Sequence, residues 1–536
     1  MLDVAIVGGG PVGETLGALL GRANRSIGIY DRWPTLYALP RAGGIDHEAV
    51  RIWQSAGAIE SVWPHLRPNL VYPWYGAQRQ LLVDLWRDKL PPREVSGWNI
   101  GYQMYQPRLE DALNDVLVNL PDADVRRGWD VTSFSEEDDH IVLHMRELQI
   151  AASGELVPTG KTDEVRARYV VACDGANSAM REQAGLKLDD LGFESDWLVV
   201  DSEFTDQADR SRYSVGQYCE PQRPHMSTFL GLDHYRFEFM LMPGDERDEL
   251  LKPETAYALM GDRIVPGDLR IMRQVIYTFR SMIGRQWRKG RLLFAGDAMH
   301  LMPPKLGQGL CSGVRDAKNL AWKLCDVLDG RAHDKLLDTY GEERIPHVED
   351  FIHLSVYYAQ LSCTTDPVEA AERDALFAAG KPPAAPPFPY LRSGLLDRRD
   401  EALHKVVGRL GPQGLVRYDG RTGLADDLVG QGWTLISRGD ARLHLSEAAC
   451  AILERSGVIL LRLGEHDDAG FCVDIEGDYQ RYFAGNDAHA VLVRPDFYVF
   501  GGVTDLDQLD ALVHEYEAVM ALYSPDQQQR ILESSK

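Results

Sequence analysis

The chain has 536 residues, 44% of them hydrophobic and 26% charged, with a formal net charge of −24. That length exceeds what one core usually serves, so two or three domains are expected in an ordinary globular protein. The acidic excess argues against nucleic acid and anionic membrane surfaces as partners. Seven scattered cysteines with no CxxC argue against a disulfide framework and a structural zinc site, so no metal site is expected. No leader-like segment opens the chain, and no apolar run approaches the roughly 20 residues of a membrane helix, so a cytoplasmic protein is expected.

Leu2 to Val7 is an apolar run of buried-strand character, followed by Gly8, Gly10 and Gly13 in the spacing GxGxxG. Glu14 to Arg22 has a helical pattern, and Ile27 to Tyr30 is a second strand ending at Asp31. Asp31 stands 18 positions past Gly13 (31 − 13), near the interval at which an acid holds a ribose hydroxyl. Gly8 makes the tight turn, Gly10 admits a pyrophosphate and Gly13 lets helix and strand pack. In strand–turn–helix–strand–acid order this is a dinucleotide-binding fingerprint. Leu36 to Gly44 is a loop, in which Arg41 either neutralises a pyrophosphate or is simply solvated. Asp46 is placed to cap a helix from His47 to Ala56. Val71 to Trp86 has β character, and Gln106-Pro107 opens a helix from Arg108 to Val118. Val125 to Phe134 and Ile141 to Met145 are strands of a hairpin or meander.

Tyr169 to Cys173 is another strand; Asp174-Gly175 turns it, and Asn177 or Ser178 starts a helix carrying Arg181. Trp197 to Met242 and Ile271 to Ile283 alternate with period two and predict a second sheet, the expected floor of a substrate pocket. Its His225 and His234 are either substrate contacts or ordinary surface and core histidines. Leu292 to Ala295 then enters GDAMHLMPPKLGQGLC, with Asp297, Pro303, Pro304, Gly307 and Gly309. A strand would deliver Asp297 to a polyol hydroxyl, and the glycines would bring backbone N–H groups close to a cofactor at a helix N-terminus. Helices are expected over Ser312 to Leu328 and Lys335 to Ala359. Residues 381–390 hold five prolines and form a tether. Beyond it, strands at Trp433 to Ser437, Gly457 to Leu463 and Ala488 to Arg494 alternate with helices at Ser446 to Ser456 and Asp505 to Ala521. The second of these helices has Thr504 and Asp507 spaced as a capping box.

Together, GxGxxG at Gly8–Gly13, D-G-x-x-S-x-x-R at Asp174–Arg181 and the Gly-Asp turn with its proline–glycine tail at Gly296–Gly309 resemble the FAD-dependent aromatic hydroxylases. Within these, PRAGGID at 40–46, EFMLMPG at 238–244 and GQGLCSGVRDAKNLAWKL at 307–324 resemble the 3-(3-hydroxyphenyl)propionate hydroxylase branch. The resemblance implies an α/β protein with an α+β insert. Its parts would be a Rossmann-like FAD-binding domain over 1–180 with 285–345 returning to it, a β-sheet substrate domain over 181–284, a helical and Pro-rich linker over 346–399, and a thioredoxin-like domain without CxxC over 400–536. It implies that Gly8, Gly10, Gly13 and Asp31 hold the ADP half of FAD, with Arg32, Arg41, Gly44, Gln106 and Val131 also in contact. Asp174 belongs to a motif associated with FAD and the nicotinamide nucleotide, and Gly296-Asp297 holds the ribityl chain. Gly307, Gly309, Leu310 and Cys311 face the flavin edge, with Pro304 near its reactive face.

The implied reaction takes electrons from transiently docked NAD(P)H, adds O2 to give a C4a-hydroperoxide, and hydroxylates a small phenolic substrate. His225, His234, His47 and Tyr218 are candidates for favouring the phenolate. Baeyer–Villiger oxygenation or epoxidation on the same fold stays open, as does a non-catalytic flavin-binding scaffold; the halogenase signature WxWxIP is missing. A homodimer also stays open.

Overall fold

A computed structural model describes residues 1–69, 71–84, 93–399, 405–468 and 470–525. The apolar run Leu2–Val7 forms the centre of a parallel sheet, with Val4, Ala5 and Ile6 fully buried. It pairs with Ile27–Asp31 on one side and with the end of Leu156–Ala172 on the other; Ala123–Arg127 and Leu292–Phe294 flank these. The register sets the strand ends level. Val7 lies opposite Tyr30 and Ala172, and Ala172 lies opposite Phe294. Each strand therefore releases its motif at one edge of the sheet.

The predicted strand from Val125 to Phe134 is two strands, Ala123–Arg127 and Trp129–Glu136, cut at Gly128. Gly128 has φ +77°. That conformation is easy only for glycine, and it turns the chain out of the parallel sheet into the meander with Ile141–Ile150.

The second sheet has eight strands among the described residues and draws on more of the chain than expected. Its core is Leu269–Gly284, Leu188–Phe204, His234–Met240, His225–Leu230 and Gly216–Tyr218. The hairpin Pro73–Tyr75 and Leu81–Asp84 adds one edge, and His300–Leu301 the other. The expected end of the Val71 to Trp86 segment, Leu85 and Trp86, lies outside the described residues. Leu198, Val200, Phe229, Tyr235, Phe237 and Phe239 bury one face together with Leu250 and Met260 of the short helices Arg247–Leu250 and Pro253–Met260. The opposite face turns toward the first domain: Arg236 and Arg273 both pair with Asp201 and donate to the Pro40 carbonyl, and Arg236 also reaches the Arg41 carbonyl.

The helix predicted from Ser312 starts four residues earlier, as Gln308–Leu328. Gly307 takes a left-handed φ of +64° at its N-cap, so Gln308 and Gly309 lie in the first turn. Asp338–Ser362 follows a short 3-10 turn at Asp334–Leu337. A helix that sequence reading missed, Pro367–Ala378, begins at Asp366, whose carboxylate accepts from the N–H groups of Val368 and Glu369. In the C-terminal unit Thr434–Arg438 runs parallel to Ile459–Leu463 and antiparallel to Ala490–Val493, which pairs with Val499–Val503. With helices Glu447–Arg455 and Leu509–Ala521 this is the thioredoxin-like order. Ser446 caps the first helix, its side chain accepting from the Ala449 N–H. The second entry is capped by Asp505, which accepts from the Asp507 N–H, rather than by Thr504. All seven cysteines are free.

Candidate functional site

The three turns meet at the carboxyl edge of the parallel sheet. Gly8 has φ +104°, and a Cβ there would overlap the Cys173 carbonyl, so the first glycine turn lies directly on the turn leading into Asp174. A Cβ on Gly13 would overlap the Gly8 carbonyl. Gly10 and Gly44 face open space with no atom within 4 Å of an added Cβ, the room that close backbone approach to a ligand requires. The Gly9 N–H donates to Asp31 Oδ2 at 2.7 Å, and the Trp33 N–H donates to Oδ1 at 2.8 Å, so Asp31 is held at the turn. Arg181 spans the other two motifs. Its guanidinium donates to the Ala298 carbonyl at 2.7 Å and to the Ala176 carbonyl at 3.0 Å.

Two acids in this cleft lack the partners that folding normally supplies. Asp174 accepts from the Met180 N–H at 3.1 Å through Oδ2, while its buried Oδ1 has no partner. Asp297 is open along the cleft yet surrounded by protein atoms, and no hydrogen bond or ion pair reaches its carboxylate from the described residues. Burial raises both carboxyls above the ordinary range. Ser178 and the Met180 N–H, and more weakly Arg181, oppose this at Asp174, and His300 and Arg41 oppose it at Asp297. The buried Asp174 Oδ1 is costly to leave without a donor, and a ligand can supply one, whereas the Asp297 carboxylate stands open to whatever fills the cleft. The Gly-Asp turn is fixed from beneath: Asp316 accepts from the Gly296 N–H at 3.0 Å, pairs with His300 at 2.7 Å and receives Arg344 at 2.8 Å. Asp316 and Arg344 were missed in the sequence, where each was one charged residue among many on a helix.

Gln106 braces the 40–44 loop. It accepts from the Ala42 N–H at 2.8 Å and donates to Glu110 at 2.6 Å. Gln106→Leu removes both bonds and is expected to weaken FAD about tenfold, roughly the worth of one or two buried hydrogen bonds. Titration of apoprotein would show this, and unchanged affinity would mean that the loop is held by other contacts. Arg41 lies over the Tyr37 ring, with its guanidinium 5.0 Å from the ring centroid, and is exposed toward the cleft. Arg32 is exposed just past Asp31, and Val131 is buried in the core of the first domain. Gly307 packs against the Gly44 carbonyl; Gly309 and Leu310 are partly open, whereas Cys311 is fully buried, its thiol raised above the ordinary range by that burial.

The four candidates for favouring a phenolate are not brought together. His225 and Tyr218 are corrected by the strand register. His225 lies opposite Phe239 and Tyr218 opposite His225, which places both on the face packed against helices rather than on the cleft face. The His225 ring stacks on Tyr218 at 4.6 Å, and burial lowers its pKa to about 3. It is a neutral core histidine. His234 does lie on the cleft face, at its rim, stacked on Tyr105 at 3.9 Å. His47 pairs with Ser96 Oγ at 2.9 Å at the start of its helix, with burial pulling its pKa down. Pro304 opens the short turn Pro304–Leu306 immediately before the buried Lys305. A surface depression of about 480 Å³ between Met1, Tyr30, Asp124, Arg126 and Arg166 stands apart from all three turns. Its Tyr30, Asp124 and Arg126 already pair with one another.

Three motif turns at the carboxyl ends of a parallel sheet, with a second sheet facing them, define a dinucleotide-binding class of fold. The FAD binding domain family matches residues 1–355, and the HcaD C-terminal domain matches 408–519. The chain is 38% identical over 528 residues to a probable NADH-specific resorcinol 4-hydroxylase of Rhodococcus jostii, covering 97% of this chain and 95% of the relative. It is 30% identical to a 3-(3-hydroxy-phenyl)propionate/3-hydroxycinnamic acid hydroxylase of Shigella sonnei, covering 98% and 96%. The fold is shared with PieE, a flavin-dependent monooxygenase solved with FAD and substrate (TM-score 0.76, 22% identity, 97% of this chain and 99% of that one). It is shared also with aklavinone-11 hydroxylase (TM-score 0.74, 22% identity, 97% and 99%). The chain belongs to the FAD-dependent aromatic hydroxylases.

Proposed function

We propose that the protein hydroxylates a phenol, with O2 as oxygen donor and NADH as reductant. The observation that carries this is the convergence of three motif turns on a cleft whose Asp297 is open and unpartnered, in a chain alike over nearly its full length to phenol hydroxylases. Bound FAD supplies electron transfer from the nicotinamide and activation of oxygen. In this reading Gly8, Gly10, Gly13, Asp31, Arg32 and Val131 take the ADP half. Arg41, Gly44, Gln106 and Asp174 line the middle of the cofactor, and Gly296 and Asp297 hold the polyol. Pro304, Gly307, Gly309, Leu310 and Cys311 border the ring system. The second sheet closes over the ring and excludes water.

The division of labour follows: 1–180 with 285–345 for FAD, 181–284 for substrate, 346–399 as connection and 400–536 as a thioredoxin-like unit without redox cysteines. Residues 400–404, 469 and 526–536 of that last unit lie outside the described residues. No helix of the described residues is long and apolar enough to cross a membrane, and the free cysteines suit the reducing cytoplasm that this reading assigns.

The test is turnover under ¹⁸O2 with NADH and a panel of monohydric and dihydric phenols, with mass analysis of products. One labelled oxygen on an aromatic carbon is expected. Ester, lactone or epoxide products would move the protein to another oxygenase class, and NADH oxidation yielding only peroxide with every phenol would overturn the reading.

A further inference from the structure

The strand register lays one row of side chains across the cleft face of the second sheet. Trp74 opposes Gln217, Gln217 opposes Met226, Met226 opposes Glu238, and Glu238 opposes Val199. Three members of this row carry a buried polar atom with no partner: Trp74 Nε1, Gln217 Oε1 and Glu238 Oε2. These residues are 2%, 0% and 4% exposed. A fourth orphan comes from the opposite side of the cleft. Lys305, 6% exposed, holds its Nζ 3.5 Å from the centroid of the Trp197 ring with no hydrogen-bond partner. Trp197 opposes Met240, two residues along the strand from Glu238. Native proteins rarely leave one such group unsatisfied, and an ammonium has three donors to place. A ring face alone does not replace its hydration. Three orphans on one wall and a fourth facing them across the cleft point to a ligand that supplies both donors and acceptors.

Nearby charges do not satisfy them. Arg236 and Arg273 are committed to Asp201 and to the Pro40 carbonyl, and Arg236 comes no nearer than 3.7 Å to Glu238 Oε1. Arg236 and Arg273 balance Asp201 and Glu238 on the wall, so Lys305 facing it leaves the pair of surfaces with one excess positive charge. That excess suits a ligand oxygen in its anionic form.

We propose that this row, with Lys305, is the substrate-recognition element for a polyhydric phenol. Glu238 and Gln217 accept from its hydroxyl groups, Trp74 donates to one of them, and Lys305 faces the ring oxygen that ionises. The proton of that oxygen leaves to solvent on binding. The assignment rests on the hydroxylase reading above and adds the residues and the hydroxyl pattern they select.

The test titrates the FAD-loaded protein and its Glu238→Gln, Lys305→Met and Trp74→Phe variants with resorcinol, 3-methoxyphenol and 3-hydroxybenzoate, following perturbation of the flavin absorption. Wild type is expected to bind resorcinol about tenfold or more tighter than the methyl ether, the scale of one well-made buried hydrogen bond to a charged group. Glu238→Gln keeps a neutral acceptor in place of a charged one and is expected to reduce that preference to about threefold or less. Lys305→Met is expected to weaken resorcinol about tenfold and to flatten the rise in affinity between about pH 6 and 9 that phenolate binding produces. Trp74→Phe keeps a benzene ring but loses the pyrrole ring with its N–H donor; weaker resorcinol binding with FAD retained is expected, and it answers even if the charge changes disturb folding. Variants that retain FAD and bind all three compounds as wild type would overturn the proposal, and tighter binding of 3-hydroxybenzoate than of resorcinol would make Lys305 a carboxylate site instead. A wild type that hydroxylates phenols while these titrations fail sinks only the recognition row; one that hydroxylates none sinks the underlying reading.

Discussion

Glu343→Ala is expected to destabilise the protein by about 3–5 kcal/mol, the usual cost of deleting one partner from a buried ionic network. Glu343 is fully buried and receives Asn319 at 2.8 Å, Lys323 at 2.7 Å, Arg494 through both terminal nitrogens at 2.9 and 2.6 Å, and the Leu395 N–H at 2.9 Å. These partners come from the helix Gln308–Leu328, from the end of the 346–399 linker and from the C-terminal unit. Removing the carboxylate strands Lys323 in the core and leaves Arg494 with Asp496 and the Leu395 carbonyl. Burial would raise the Glu343 carboxyl, but Arg494 and Lys323 overcome it and hold the group down to about 2. Burial draws Lys323 down to about 8, so both stay charged at neutral pH. Because the folded carboxyl lies below its ordinary value of 4.5, its stabilisation is present above that value and is lost as pH falls toward about 2. Urea unfolding of wild type and Glu343→Ala at pH 7 and in mild acid would check this. The gap should be widest at pH 7 and narrow in acid; equal midpoints at pH 7 would show that the C-terminal unit is not tied through this residue.

The second large effect belongs to Gly13→Val. Any Cβ there overlaps the Gly8 carbonyl, and Gly8 cannot retreat because it lies against the Cys173 carbonyl. The clash is with a backbone carbonyl rather than a flexible side chain, so the turn itself must open. FAD retention through purification is expected to fall by more than about a hundredfold, on the scale of several kcal/mol of packing strain. Absorption at the flavin band relative to protein measures this directly, and a fully yellow Gly13→Val protein would remove the first turn from the cofactor site.

The three motif turns were legible in the sequence because each is local: a short apolar run, a glycine or acid at its end, and a helical period after it. Their meeting at one edge was also readable, since parallel strands with motifs at their carboxyl ends leave few alternatives. The second sheet was legible as an element, but which of its faces meets the cleft was not. In Tyr235-Arg236-Phe237-Glu238-Phe239-Met240 the alternation is plain, but period two does not say which face meets the cofactor. The aromatic set packs on the helices at 247–260, and the polar set faces the cleft. His225, which opposes Phe239, went with the wrong face for that reason. Lys305 and Glu238 gave no sign, because one charged residue in a loop or strand looks the same whether solvated or enclosed. The early start of the helix at Gln308 was hidden by Gly307 and Gly309, residues that ordinarily weaken a helical pattern.

The most direct measurement is an FAD titration of apoprotein, comparing wild type with Asp297→Ala. One FAD per wild-type chain is expected, with affinity falling about ten- to a hundredfold in the variant, as for a lost hydrogen bond to a charged group. A wild-type chain that binds no FAD, or an Asp297→Ala chain that binds it as tightly, would contradict the account.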